Sequence, residues 1–422
     1  MIEEKFYKLW LQIGEKLACK GSMMAFEPIN EPPADTESQA QEINKLNEIF
    51  LKALSETGGF NSRRVVTLVG ASMDAVKTSQ YFKPPADIKN PWALQFHYYS
   101  PYDFIFGAWG KTIWGSDTDK QGLMRDMSIV RGNFSDVPLV IGEFSASPTS
   151  TEPAARWKYV DYFTQAAKEI GAAIMLWDNG ADNLDRPSHK WRDPTSIEIM
   201  TSVIAGENNS LPDSSEDATA TSQSSSAYVF KKVGDSVTSQ SLPWLYNGNS
   251  LVSIKTSGGS SLDSSDYSTS DDSITFSSSF LSKHFNDDAG IKEILTLDFS
   301  AGASVAVEIV EWDTPVFGKP SSTATSGQAI SIPVTWKGVK AVAAVKILES
   351  DGTYLFDDWT QWLPPLQQAR ATYNNHYTWE GDTITITADA VAAVKNSRKT
   401  TTFEFEFYPR VKGNSVVYTV DV

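Results

Sequence analysis

Leu139-Val140-Ile141-Gly142-Glu143-Phe144 is a short apolar run that closes on a glutamate. Helix-like segments at 121–132 and 152–170 lie on either side of it. Four other short apolar runs occupy 22–26, 65–69, 92–97 and 172–177, with a further helical segment at 39–54. The chain opens on Phe6, Leu9, Trp10, Ile13 and Leu17, which recur at helical spacing. Buried strands alternating with helices predict a parallel α/β sheet over roughly the first half of the chain. In such sheets the functional residues collect just past the C-terminal strand ends.

Those ends carry an unusual set of residues. The first run continues into Phe26-Glu27-Pro28-Ile29-Asn30-Glu31-Pro32, and the third into His97-Tyr98-Tyr99-Ser100-Pro101. The fourth ends at Glu143 and the fifth at Trp177-Asp178-Asn179. A carboxylate directly after a buried strand is costly unless it lies in a cleft or is used. One strand-end glutamate alone reads equally well as a loop ion pair. Two glutamates converging on one mouth are what glycosidic cleavage needs: one protonated to donate to the leaving oxygen, the other ionised to attack the anomeric carbon.

Asn30-Glu31-Pro32, His97-Tyr98-Tyr99, Gly142-Glu143-Phe144 and Trp177, taken in order, resemble glycoside hydrolase family 5. The stretches at 96–103 and 176–180 resemble its subfamily 4, endo-β-1,4-glucanases. The resemblance implies a retaining mechanism on a (β/α)8 barrel, with Glu31 as acid/base and Glu143 as nucleophile. It also implies Asn30 on the substrate 2-hydroxyl, His97 lining the cleavage subsite, Tyr99 orienting the nucleophile and Trp177 as a stacking floor. Asn-Glu-Pro closes the fourth strand of that barrel. The expected fold is therefore a partial (β/α)8 barrel, strands four to eight, in residues 1–206, with strands one to three missing from this chain. Such a half-barrel leaves open edges and leads to self-association or a complementing barrel fragment as expected partners.

Residues 207–227 are rich in Ser, Thr, Asp and Ala and read as a linker. Beyond them the helical period gives way to short alternating strands, predicting two all-β sandwiches at 228–317 and 318–422. Motifs around 247–252 and 265–276 resemble an X2-type immunoglobulin-like module. Those at 334–338, 357–363 and 406–410 resemble carbohydrate-binding module family 46, which implies Trp359 and Trp362 as sugar contacts. At least one of the two is expected to belong to the core.

The composition excludes other classes. Lys and Arg total 36 against 52 Asp and Glu, a formal charge of −16 that repels nucleic acid and anionic membranes. Thirteen Trp, 15 Tyr and 21 Phe supply flat rings suited to sugar faces. Cys19 is the single cysteine, and the chemistry calls for no cofactor and no metal. No run approaches the roughly 20 apolar residues of a membrane span. The N-terminus shows no signal peptide, Ile2-Glu3-Glu4-Lys5 being charged at once, and the full-length protein is expected to be secreted. Two functions follow: a retaining endo-β-1,4-glucanase acting on cellulose, mixed-linkage glucan or xyloglucan, or a non-catalytic carbohydrate-binding protein with a vestigial half-barrel.

Overall fold

The computed structural model describes residues 2–422 except 181, 215–218 and 224. They form two compact units. The first comprises Met1–Tyr99, Lys120–Ser145 and Phe163–Asp178; the second comprises Ser100–Asp119, Ala146–Tyr162 and Asn179–Val422.

The first unit is built on four parallel strands in the order β1 (Val66–Asp74), β2 (Trp92–Tyr98), β3 (Leu139–Phe144) and β4 (Ala172–Leu176). Helices α1 (Ile2–Leu17), α2 (Glu37–Glu56), α3 (Ala75–Tyr81), α4 (Asp117–Asn133) and α5 (Pro153–Glu169) precede or connect them, α4 counting in this unit from Lys120 and α5 from Phe163. Trp10 on α1 packs against Phe26 and Phe50, and its Nε1 donates to the Pro28 carbonyl at 3.0 Å. The helix is thereby tied to the chain just ahead of Glu31. Fully buried Arg64 donates to the carbonyls of Leu17, Lys20 and Met24 at 3.0, 2.8 and 2.7 Å, placing a cation at the open C-terminal end of α1.

The first of the predicted strands is reduced to a single parallel bridge, Phe26 to Val66. Arg64 takes the carbonyls of Gly21 and Met24, so those groups do not enter a ladder. The other four strands form as expected. Six of the seven residues of β2 are buried, as a parallel strand covered on both faces should be. Strand β4 has no buried residue, and Ala173 and Met175 on it are exposed. Among the described residues, the sheet runs from the Phe26 bridge to β4.

The second unit holds two β-sandwiches. The first pairs a sheet ordered Leu251–Lys255, Gly290–Phe299, Val305–Trp312, Tyr228–Lys232 with one ordered Tyr267–Thr269, Ser273–Phe276, Gln240–Leu245, Leu211–Pro212. The second pairs Val316–Phe317, Ile330–Thr335, Thr383–Ile386, Tyr377–Glu380 with Ser321–Thr323, Ser415–Asp421, Thr401–Phe407, Val342–Glu349. Ile330–Thr335 alternates buried and exposed residues without exception, and Ile332, Val345, Ile384, Phe403 and Phe405 form a closed core.

The segment expected to be a plain linker is partly structured. Leu211–Pro212 is an edge strand, Asn209 bonds buried Asp161, and Gln223 bridges Arg410. Short polar side chains satisfy buried backbone there, which composition alone does not reveal. Residues 215–218 and 224 of that segment lie outside the described residues. The expected boundary at 317 also shifts, because Val316–Phe317 pair with Val334–Thr335 of the second sandwich.

Candidate active site

Irregular pairing at the strand ends assembles the site. β2 and β3 run in register from Leu94↔Leu139 to Phe96↔Ile141, and then His97 pairs with Glu143, skipping Gly142. A Cβ on Gly142 would stand 2.4 Å from Nε2 of Gln95, so the glycine leaves room for the Gln95 side chain. The shift sets the Glu143 carboxylate beside His97 and the Tyr99 hydroxyl, which donates to it at 2.9 Å. His97, with its side chain 4% exposed, stands with Nδ1 2.8 Å from Glu31 and 3.5 Å from Glu143. Glu31 itself takes left-handed backbone, φ 42°.

Glu31, His97 and Glu143 each present a donor atom, and these atoms lie within 4.8 Å of one another. Carboxylates this close fit direct attack by one on the sugar, with the other serving as acid. The wider spacing of about 6.5–9.5 Å, which admits a water for inversion, is absent here. The same three donors are near enough to chelate a divalent cation, though the paired carboxylates have a complete chemical role without one.

The structure thus brings together Glu31, His97, Tyr99 and Glu143. Asn30 is exposed beside Glu31 in the chain, and Trp177 follows β4, its N–H donating to the Phe144 carbonyl at 2.9 Å. Trp177 is one strand over from Glu143 and 38% exposed. One functional candidate escaped the sequence reading. Glu27 accepts a hydrogen bond from Gln95, and burial pushes its carboxyl above the usual range, with negative Glu143 adding to the rise. Gln95 and His97 pull the other way. Its position next to core residue Phe26 was the available signal, since neighbours on a strand face opposite sides.

Trp359 and Trp362 lie in the second unit on a 3₁₀ turn, Asp358–Trp362, not on a strand. Residues three apart on such a turn share a face. Both are therefore exposed, Trp362 at 82%, and the expectation that one of the pair is core fails. Trp109 packs edge-on against Trp359 with ring centroids 4.6 Å apart and donates to Asp357 at 2.8 Å.

A compact acid pair at the strand ends of an α/β sheet, bridged by one histidine, is the constellation of a retaining glycoside hydrolase. Residues 1–183 match Cellulase (glycosyl hydrolase family 5), and residues 223–309 match Carbohydrate binding domain X2. The chain thus carries a family 5 cellulase domain followed by a carbohydrate-binding domain X2. It is similar to a solved tri-modular GH5 (subfamily 4) endo-beta-1,4-glucanase from Bacillus licheniformis complexed with cellotetraose. That match has 28% identity and a TM-score of 0.85, covering 99% of this chain and 78% of the other. Endoglucanase B from Paenibacillus lautus is 24% identical, with 99% of this chain and 71% of the relative covered. Endoglucanase H from Acetivibrio thermocellus is 32% identical, but the match spans 42% of this chain and 19% of that one.

Proposed function

We propose that the chain hydrolyses β-1,4-linked glucans with retention of configuration. The observation that carries this reading is the close approach of Glu31, His97 and Glu143 donor atoms. Ionised Glu143 attacks C1 of the sugar as the C1–O bond breaks, and Glu31 gives its proton to the departing oxygen. Glu31 then takes a proton from water, whose oxygen attacks C1 and releases Glu143. The Tyr99 hydroxyl, donating to Glu143, holds the nucleophile in line. Asn30 serves the substrate 2-hydroxyl, His97 lines the cleavage subsite and Trp177 offers a face for the adjoining sugar. Trp359 and Trp362, in a family 46-like module, bind further glucan. A polymeric substrate cannot enter a cell, so the reaction belongs outside it.

The four strands and the Phe26 bridge are read as strands four to eight of a (β/α)8 barrel. The exposed residues of β4, Ala173 and Met175, favour a sheet that awaits further β/α units, supplied by a complementing fragment or a second copy. Reducing-sugar release from barley β-glucan or carboxymethylcellulose, with Glu143→Gln as control, tests the activity. Retention on insoluble glucan without hydrolysis would instead select the non-catalytic reading.

A further inference from the structure

Three non-glycine residues of the first unit, among those described, take left-handed backbone: Glu31 (φ 42°), Ser72 (φ 53°) and Met73 (φ 51°). None is Asn or Asp, the types that tolerate this region best, and two of them are consecutive. All three meet at one place.

Strand β1 leaves its partner there. Val69 pairs with Gln95, but the next pairing is Asp74 with His97, so five steps of β1 are matched by two of β2. The residues thrown out of the ladder grip the loop that carries Glu31. The Ser72 amide donates to the Pro32 carbonyl at 3.0 Å. Ser72 Oγ accepts from the Ala34 amide and donates to the Ala34 carbonyl, each at 3.1 Å. Met73 Sδ accepts from the Glu31 amide at 3.1 Å, and Met73 is wholly buried. Pro32 and Pro33 have no N–H, so within 31–34 the amide donors are those of Glu31 and Ala34, and the bulge takes both. Asp74 then rejoins the sheet opposite His97, whose Nδ1 holds the Glu31 carboxylate at 2.8 Å.

We propose that Ser72 and Met73 are positioning residues for the acid/base: the bulge fixes the strained backbone of Glu31, and with it the direction in which its proton is delivered. The inference rests on the glycosidase reading above. Backbone held from one side and carboxylate from the other leaves Glu31 little freedom, although its side chain is 46% exposed. Strain kept in two non-glycine residues persists only where the surroundings require it.

The test compares two aryl β-cellobiosides in wild type, Ser72→Gly, Ser72→Ala and Met73→Leu. Ser72→Gly keeps the left-handed backbone free of cost and removes only the hydroxyl. Phenyl β-cellobioside needs the Glu31 proton on its leaving oxygen, whereas 2,4-dinitrophenolate departs unprotonated. Misdirected proton delivery should lower kcat/KM for the phenyl substrate by about tenfold to a hundredfold. The dinitrophenyl value should stay within about twofold, because that leaving step takes no general-acid help. Equal losses with both substrates, or no loss with either, would overturn the proposal. Amide exchange supplies an activity-independent arm: Ala34 should exchange faster in Ser72→Gly, and Glu31 faster in Met73→Leu, while β2 and β3 keep their protection. Unchanged exchange at those two amides would equally overturn it. A folded wild type that cleaves neither substrate would defeat the glycosidase reading, and exchange would then decide the clamp alone.

Discussion

The second sandwich and the parallel sheet bury their strands in opposite styles. Ile330–Thr335 alternates buried with exposed residues over a core that closes on itself. Strand β2 is buried nearly throughout, yet β4 in the same sheet has no buried residue. An antiparallel sandwich needs one apolar face per sheet, so it is complete with two sheets. A parallel sheet needs cover on both faces, and an edge left open still has pairing to do. The sandwich closes its core on itself, whereas β4, in the sheet that carries the acid pair, buries none of its residues.

The largest expected effect separates the two regions by chemistry. Glu143→Gln should lower kcat on barley β-glucan by about 10⁴-fold or more, since it removes the proposed nucleophile. Retention on insoluble glucan, which the proposed reading gives to the sandwiches, should be unchanged. Loss of binding together with turnover would break the separation.

The next effect lies in the sandwich. Arg410 bonds Glu406 at 2.7 Å and the carbonyl of Gly110 at 2.8 Å, and Arg370 pairs with the same carboxylate. Burial pushes the Glu406 carboxyl up, but Arg410 and Arg370 outweigh it and hold it below the usual range. Arg410→Ala leaves a buried charge half-paired and should cost about 3–5 kcal/mol in denaturant unfolding. The depressed Glu406 contributes stability that is present above its unfolded value of about 4.3 and drains away as pH falls through the folded one. An unfolding midpoint that did not move between pH 6 and pH 3 would contradict this.

The open edge predicts a smaller change. Met175→Lys places a charge on exposed β4, where it should weaken the self-association proposed above in sedimentation velocity and alter unfolding by about 0.5 kcal/mol or less. Smallest is Glu27→Gln. Its carboxyl is held above the usual range by burial, so ionising it disfavours the fold as pH rises through that value. The variant should gain a little in Tm at pH 8 and nothing at pH 4. A gain of the same size at both would contradict the assignment.

Much of this was legible in the sequence. The runs at 92–97 and 139–142 became β2 and β3 almost to the residue, because a strand buried on both faces has an unmistakable apolar run. Glu31, His97, Tyr99 and Glu143 were readable as strand-end polar residues for the same reason. The bulge in β1 was not. Gly70 at its start is a single weak mark, and the two left-handed residues, Ser72 and Met73, are types that give no sign of such a backbone. The 3₁₀ turn under Trp359 and Trp362 was missed because an aromatic pair in a short polar stretch also fits a strand. The strand at Leu211–Pro212 hid in a composition that usually marks tethers.

The most direct test of the account is intact mass and peptide mapping after incubation with 2,4-dinitrophenyl 2-deoxy-2-fluoro-β-cellobioside. It traps the glycosyl-enzyme and asks nothing of the acid. One fluorocellobiosyl adduct on Glu143, absent in Glu143→Gln, is the predicted result. An adduct on another residue, or none on the folded protein, would contradict the assignment of Glu143 as the nucleophile of a retaining glycosidase.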